Sequence, residues 1–163
     1  MSLRQFHVFL AAALFCGASF AAEPPPIPKK FSALIGGFFG PTYVIELRDG
    51  TLHYTEHKRS TGPKPTASAT ITPTPEQWRE FRKSLDQLNV WRWRPDYSNN
   101  AIADGTQWRL EIQYSDHTLK TEGSNDYPDD TGAPKGKTDI STTKAFDRFV
   151  AAVEKLLGGK TFK

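Results

Sequence analysis

The sequence predicts an α+β domain, a twisted antiparallel sheet of hairpins with two amphipathic helices packed on one face. Three observations carry this reading. Between Asp104 and Pro128, Trp108, Leu110, Ile112 and Tyr114 alternate with Gln107, Arg109, Glu111 and Gln113, the pattern of a strand with one buried face. Two stretches, about 75–89 and 142–157, space their apolar residues three and four apart, the period of a helix. Asp49-Gly50 separates two alternating runs and supplies the turn chemistry of a hairpin, because glycine accepts positive φ without steric cost.

Residues 1–21 read as a signal peptide. Arg4 gives the positive start, Val8 to Phe15 is an apolar core too short to span a bilayer, and Ser19 and Ala21 are small residues at cleavage spacing. The expected cut follows Ala21. Lipidation at Cys16 is disfavoured by the bulky Phe15 before it. Cleavage leaves 142 of the 163 residues, one domain's worth, with roughly two-thirds of the chain surface buried on folding. It removes one basic residue of 21, leaving 20 against 18 acidic, so the net charge falls from +3 to +2. That balance makes no electrostatic case for a nucleic-acid or acidic-membrane partner. Cys16 is the single cysteine, so the chain can form no internal disulfide. The expected address is the periplasm or the exterior, reached by a domain held by packing alone.

Residues 22–30 are proline-rich, an extended tether or a polyproline ligand. Phe31 to Phe39 reads as an opening strand or packed loop. Tyr43 to Tyr54 is the Asp49-Gly50 hairpin, and a two-residue loop sets Leu47 opposite Leu52 and Ile45 opposite Tyr54. A basic loop, 57–65, leads to a third strand at 66–72 with Ala67, Ala69 and Ile71 on one side. Thr74-Pro75-Glu76-Gln77 is a capping box, and Trp78, Phe81, Leu85 and Leu88 form the stripe of the helix it starts. Asn89 ends that helix. Val90 to Arg94 reads as a strand with Trp91 and Trp93 on one face, and Asp96 to Ala103 as loop. In the central hairpin an Asp116-His117 turn would pair Tyr114 with Leu119 and Ile112 with Thr121. Gly123 to Pro128 is a polar loop carrying an aromatic, and Asp129 to Lys137 reads as mobile. Phe146, Phe149, Val150, Val153, Leu156 and Leu157 stripe the last helix, and Gly158 terminates it. There is no internal repeat and no second domain.

The Asp104-Gly-Thr-Gln-Trp108 strand, the Gly123-Ser-Asn-Asp-Tyr-Pro128 loop and the closing helix together resemble a group of small uncharacterised bacterial proteins. The resemblance covers about residues 90–158. It implies the fold and lends no activity. In that group the helix follows the Tyr-Pro closely, whereas here Asp129 to Thr138 intervenes.

Chemistry-bearing residues are few. His53 falls opposite Glu46 on a polar face, a general base with its orienter or a solvated cross-strand contact. His53 and His57 share that face with no third ligand in sequence, which disfavours zinc. Asp126, Asp129 and Asp130 are oxygen donors of the kind calcium takes, but the alternating ligand frame is missing and Pro128 interrupts it. Ser124 has no base tied to it and there is no G-x-S-x-G elbow. Gly36-Gly37 and Gly158-Gly159 lack phosphate-loop surroundings. Trp91, Trp93, Tyr97, Trp108 and Tyr127 either line a groove or pack in the core.

These observations point to an exported, non-catalytic binding or interaction domain with no cofactor and no metal. Its contact surface would comprise Asp104, Trp108, Asn125, Asp126 and Tyr127, and its partner an envelope protein or small ligand. One alternative is a small hydrolase or carbohydrate-active enzyme using Asp104 and Asp126 as a carboxylate pair. Another is an inhibitor that plugs a partner enzyme with an exposed loop or edge strand.

Overall fold

The computed structural model describes residues 27–37, 40–58, 64–102, 104–136 and 139–163. The expected signal peptide, most of the expected tether, Phe38-Phe39, the centre of the basic loop, Ala103 and Lys137-Thr138 lie outside the described residues. The elements in order are β1 (Lys30–Gly37), β2 (Thr42–Arg48), β3 (Thr51–His57), β4 (Ala67–Ile71), α1 (Pro75–Gln87), a 3-10 turn (Val90–Arg92), β5 (Asp96–Ser98), β6 (Thr106–Gln113), β7 (Thr118–Ser124) and α2 (Lys144–Leu156). The strands form one seven-stranded sheet in the order β4-β3-β2-β1-β6-β7-β5. Every pairing is antiparallel except β5 with β7, which is parallel.

The local signals act as their chemistry requires. Asp49 and Gly50 both take positive φ, 48° and 78°, and the β2–β3 register sets Leu47 against Leu52 and Ile45 against Tyr54. Thr74 and Gln77 complete a reciprocal capping box at α1. Thr143 caps α2 by accepting a hydrogen bond from the Phe146 N–H at 3.1 Å.

Both helices cover the same face of the sheet. Phe31 of β1 meets Phe81 of α1 at 5.3 Å between ring centroids, and Trp108 of β6 meets Phe146 of α2 at 4.9 Å. Phe31 pairs with Ile112 and Ile35 with Trp108, so these side chains stand on one face. The other face has no covering element among the described residues. It carries Ser32, Glu46, His53, Thr55, Arg109, Glu111 and Lys120, with ion pairs Lys30–Glu111 at 2.8 Å and Arg109–Glu122 at 2.9 Å across it. One packed and one solvated face is the usual economy of an antiparallel sheet.

Four expectations need correction. Val90 to Arg94 is not a strand: Asn89 enters the left-handed region at φ 52° and the chain makes a 3-10 turn. The alternation of a strand is lost, so Trp93 points into the core while Trp91 stays half-buried against His117, with ring centroids 4.8 Å apart. The Asp96 to Ala103 segment contains β5, anchored by buried Tyr97, whose hydroxyl donates to the Gly132 carbonyl at 2.7 Å.

The central hairpin turns at Ser115-Asp116, one residue earlier than its sequence suggests. The Tyr114 N–H donates to the His117 carbonyl at 2.8 Å, Ile112 pairs with Leu119, and Leu110 with Thr121. Moving the turn by one residue slides the pairing by two, so every side chain keeps its face and the apolar pattern cannot detect the difference. A tertiary contact holds the turn there. Arg82 of α1 forks onto both Asp116 oxygens at 2.9 and 2.8 Å, lies over the Trp91 and Tyr114 rings, and also meets Asp86 at 3.0 Å.

The 129–136 segment is also ordered by its own bonds. Asp129 Oδ1 accepts from the Thr131 and Ala133 N–H groups at 2.7 and 2.9 Å, and Pro128 bridges Pro134.

The Arg82 fork, followed by the His117 contact, holds the Asp116 carboxyl well below the usual carboxylate range. A depressed folded-state pKa contributes stability that is present above the unfolded value of 3.8 and is lost as pH falls through the folded value. Urea unfolding of Asp116→Asn should therefore show lower stability than the parent at pH 7. The gap should narrow steadily as pH drops from about 4 toward 2; a gap independent of pH would contradict the fork.

Candidate functional site

Of the five residues singled out by sequence, four come together, and they do so inside the molecule. Trp108, Asn125, Asp126 and Tyr127 are 3%, 3%, 5% and 2% exposed, while Asp104 is exposed. The polar loop after β7 is therefore a buried polar lock, and its side chains are not available as an open contact surface.

The lock begins at a missing side chain. Trp108 pairs directly across from Gly123, and a Cβ on Gly123 would stand 2.4 Å from the indole nitrogen. Only glycine lets the ring lie flat over the neighbouring strand. The Trp108 Nε1–H then donates to the Asp126 carbonyl at 2.9 Å. On its other side, the Trp108 ring packs on Phe146 of α2 and stacks on Tyr127, 6.4 Å away and 14° from parallel. Each such aromatic pair adds about 1 kcal/mol beyond the area it buries.

Asn125 takes a left-handed backbone, φ 55°, which asparagine tolerates better than most residues. Its side-chain Oδ1 accepts from the Thr106 N–H at 3.0 Å, and its own N–H donates to the Thr106 carbonyl at 3.0 Å. A Cβ on Gly105 would come within 1.8 Å of that Oδ1, so the glycine of the Asp104-Gly-Thr stretch makes room for the Asn125 amide.

Asp126 is a backbone clamp. Its Oδ1 accepts from the N–H groups of Tyr127 and Lys135 at 2.8 Å each, and more weakly from Gly136 at 3.4 Å. Burial pushes the Tyr127 phenol up, keeping it neutral. Finally the Thr143 hydroxyl, which caps α2, donates to the Pro128 carbonyl and ties the helix start to the loop.

The remaining candidates are apart from this lock. His53 stands opposite Glu46 as its register requires, but Glu46 is engaged by Arg48, and His53 Nε2 lies 3.3 Å from the Thr51 hydroxyl. Asp129 faces its own loop's N–H groups and Asp130 lies 3.8 Å from Arg148. Among the described residues no three His, Cys, Asp or Glu side chains converge as metal ligands.

Several concavities lie on the surface of the described residues; one of about 320 Å³ is lined by Leu34, Trp108, Arg109, Glu122 and Gly123. A cleft of about 240 Å³ at the sheet end is lined by Ile35, Gly36, Tyr43, Gly105, Thr106 and Lys163. A broader groove of about 610 Å³ crosses the uncovered face over β2, β3 and β4, between Glu46, His53, Thr55, Ser68 and Thr70. Ser68 and Thr70 were not among the sequence candidates. The signal was present: if Ala67, Ala69 and Ile71 face inward, Ser68 and Thr70 must face out.

Asp126→Ala leaves the buried Tyr127 N–H without an acceptor and the half-buried Lys135 N–H with only the Tyr127 carbonyl at 3.2 Å, and should cost about 2 kcal/mol. In hydrogen exchange, protection at the Tyr127 amide should fall toward that of an exposed loop; unchanged protection there would show that the clamp is dispensable. No protein-family model matches this chain, and no curated protein sequence matches it either.

Proposed function

We propose that this chain is an exported, non-catalytic interaction domain that engages a protein partner in the cell envelope through the β4 edge and the adjoining uncovered face of the sheet. The observation that carries this reading is the edge itself. Among the described residues β4 ends the sheet and pairs with β3 alone, and it contains Ala67, Ser68, Ala69, Thr70 and Ile71 with no charge and no proline. Edge strands that are meant to stay alone usually carry a lysine, an inward charge or a proline. An unblunted edge is a template for strand addition, where main-chain bonds give affinity and flanking side chains give specificity. The groove lined by His53, Thr55, Ser68 and Thr70 lies beside that edge on the same face. The export leader read in residues 1–21 supplies the compartment.

The interaction reading is preferred to a carboxylate pair because Asp126 is buried and its Oδ1 accepts from backbone donors. A photo-crosslinking residue placed at Ser68 in the producing cell tests the proposal against the same residue at Lys83, which is exposed on α1. Discrete protein adducts from Ser68 and none from Lys83 are expected. Equal labelling at both positions, or none at Ser68, would sink the edge as the interaction surface.

A further inference from the structure

The hydrogen-bonding directions of β4 follow from the turn two strands away. A two-residue type I′ loop at Asp49-Gly50 makes Arg48 and Thr51 a hydrogen-bonded pair, so the odd residues of β3 bond to β2. Leu52, Tyr54 and Glu56 therefore bond toward β4, where their partners are Ile71, Ala69 and Ala67. The Thr66 N–H, donating to the Glu56 carbonyl at 2.6 Å, agrees. What remains is that Ser68 and Thr70 direct their N–H and C=O groups away from the sheet.

The sequence around that edge is symmetric about Ala69. Pro65-Thr66-Ala67-Ser68-Ala69-Thr70-Ile71-Thr72-Pro73 reads the same in chemical class from either end: proline, threonine, aliphatic, hydroxyl, alanine, hydroxyl, aliphatic, threonine, proline. A partner of unrelated sequence would demand no such symmetry. A second copy running antiparallel across a two-fold axis would use every step of it.

We propose that two copies of this chain join β4 to β4, antiparallel, about a two-fold axis through Ala69, forming one continuous sheet; this names the partner of the edge proposed above and rests on that reading. In this register, residue i of one copy meets residue 138 − i of the other. Ser68 of one copy and Thr70 of the other form hydrogen-bonded pairs on both sides of the axis, and their side chains meet as a cross-strand hydroxyl pair on the uncovered face. Ala69 meets Ala69 in the non-hydrogen-bonded position, where Cα atoms approach to about 4.5 Å and a small side chain fits best. Half-buried Ile71 gains cover from Ala67 of the other copy on the helix face. No like charges are brought together within the strand. Pro65 of each copy falls opposite Pro73 of the other and stops the pairing at both ends. The contact is isologous, so it closes as a dimer and does not propagate.

The test uses the purified chain with Cys16→Ser, so that no other thiol is present. Ala69→Cys places its sulfurs across the axis at a Cα separation that a disulfide spans. Thr70→Cys places them about 8 Å apart by strand geometry, beyond that reach. Under mild oxidation Ala69→Cys should give a covalent dimer and Thr70→Cys should not. Sedimentation equilibrium of the cysteine-free chain should show the mass doubling as concentration rises. Thr70→Pro, which removes only an outward N–H, should return the monomer with an unchanged far-UV circular dichroism spectrum. A monomer at every concentration, equal linkage at the two cysteine positions, or a dimer that survives Thr70→Pro would each overturn the inference. If Thr70→Pro does not fold, the two cysteine variants decide alone. A monomer whose Ser68 position still crosslinks to a different protein overturns the self-pairing while leaving the edge as the interaction surface.

Discussion

The Trp108 indole can lie flat in the core only because the residue beside it on the next strand has no side chain. Gly123 leaves the space, Trp108 fills it, and the indole N–H reaches the Asp126 carbonyl. The backbone around Asn125 and Asp126 is thereby set, and from it the Asp126 carboxylate gathers the N–H groups of Tyr127 and Lys135. The outer side of the same ring receives Phe146 of α2, while Tyr97 and Trp93 close in from the β5 side at 5.7 and 6.4 Å. One strand pair thus decides where the closing helix docks, how the 126–136 segment runs and where the short parallel strand can sit. In a chain with no internal disulfide, this concentration of aromatic contact and buried hydrogen bonds supplies the cross-linking that packing must provide.

The consequence for function is a displacement of interest from the loop to the edge. Polar residues clustered beside an aromatic look like a recognition surface, yet here their hydrogen bonds are directed inward and the helix lies over them. Among the described residues, the sheet edge left without a paired strand at the far end is β4, with small uncharged residues and an outward row of backbone groups. Helices on one face only leave that edge and the polar face continuous with each other.

Local chemistry was legible in the sequence; choices made by distant partners were not. The Asp49-Gly50 turn, the Thr74–Gln77 capping box and both helical stripes are short-range signals, and each element formed as its residues require. The register of β6 against β7 was misread because Arg82, more than thirty residues away, selects the turn through Asp116, while the alternating pattern is blind to a shift that keeps every face. Asn89 carried its own signal, since asparagine tolerates the left-handed region, but the alternating Val90-to-Arg94 run masked it. The burial of Asn125 and Asp126 was illegible for a different reason. Their acceptors are matched to the N–H groups of Thr106 and Lys135, and composition alone ranks such side chains as surface. Glycine was the missed clue: Gly105 and Gly123 mark close approaches and not loose turns.

The most direct test of the central lock is solvent exchange at the Trp108 indole N–H, followed by proton NMR. If the ring is seated over Gly123 and bonded to the Asp126 carbonyl, that proton should exchange as slowly as the backbone amides of β6. Exchange at the rate of a free indole would contradict the account.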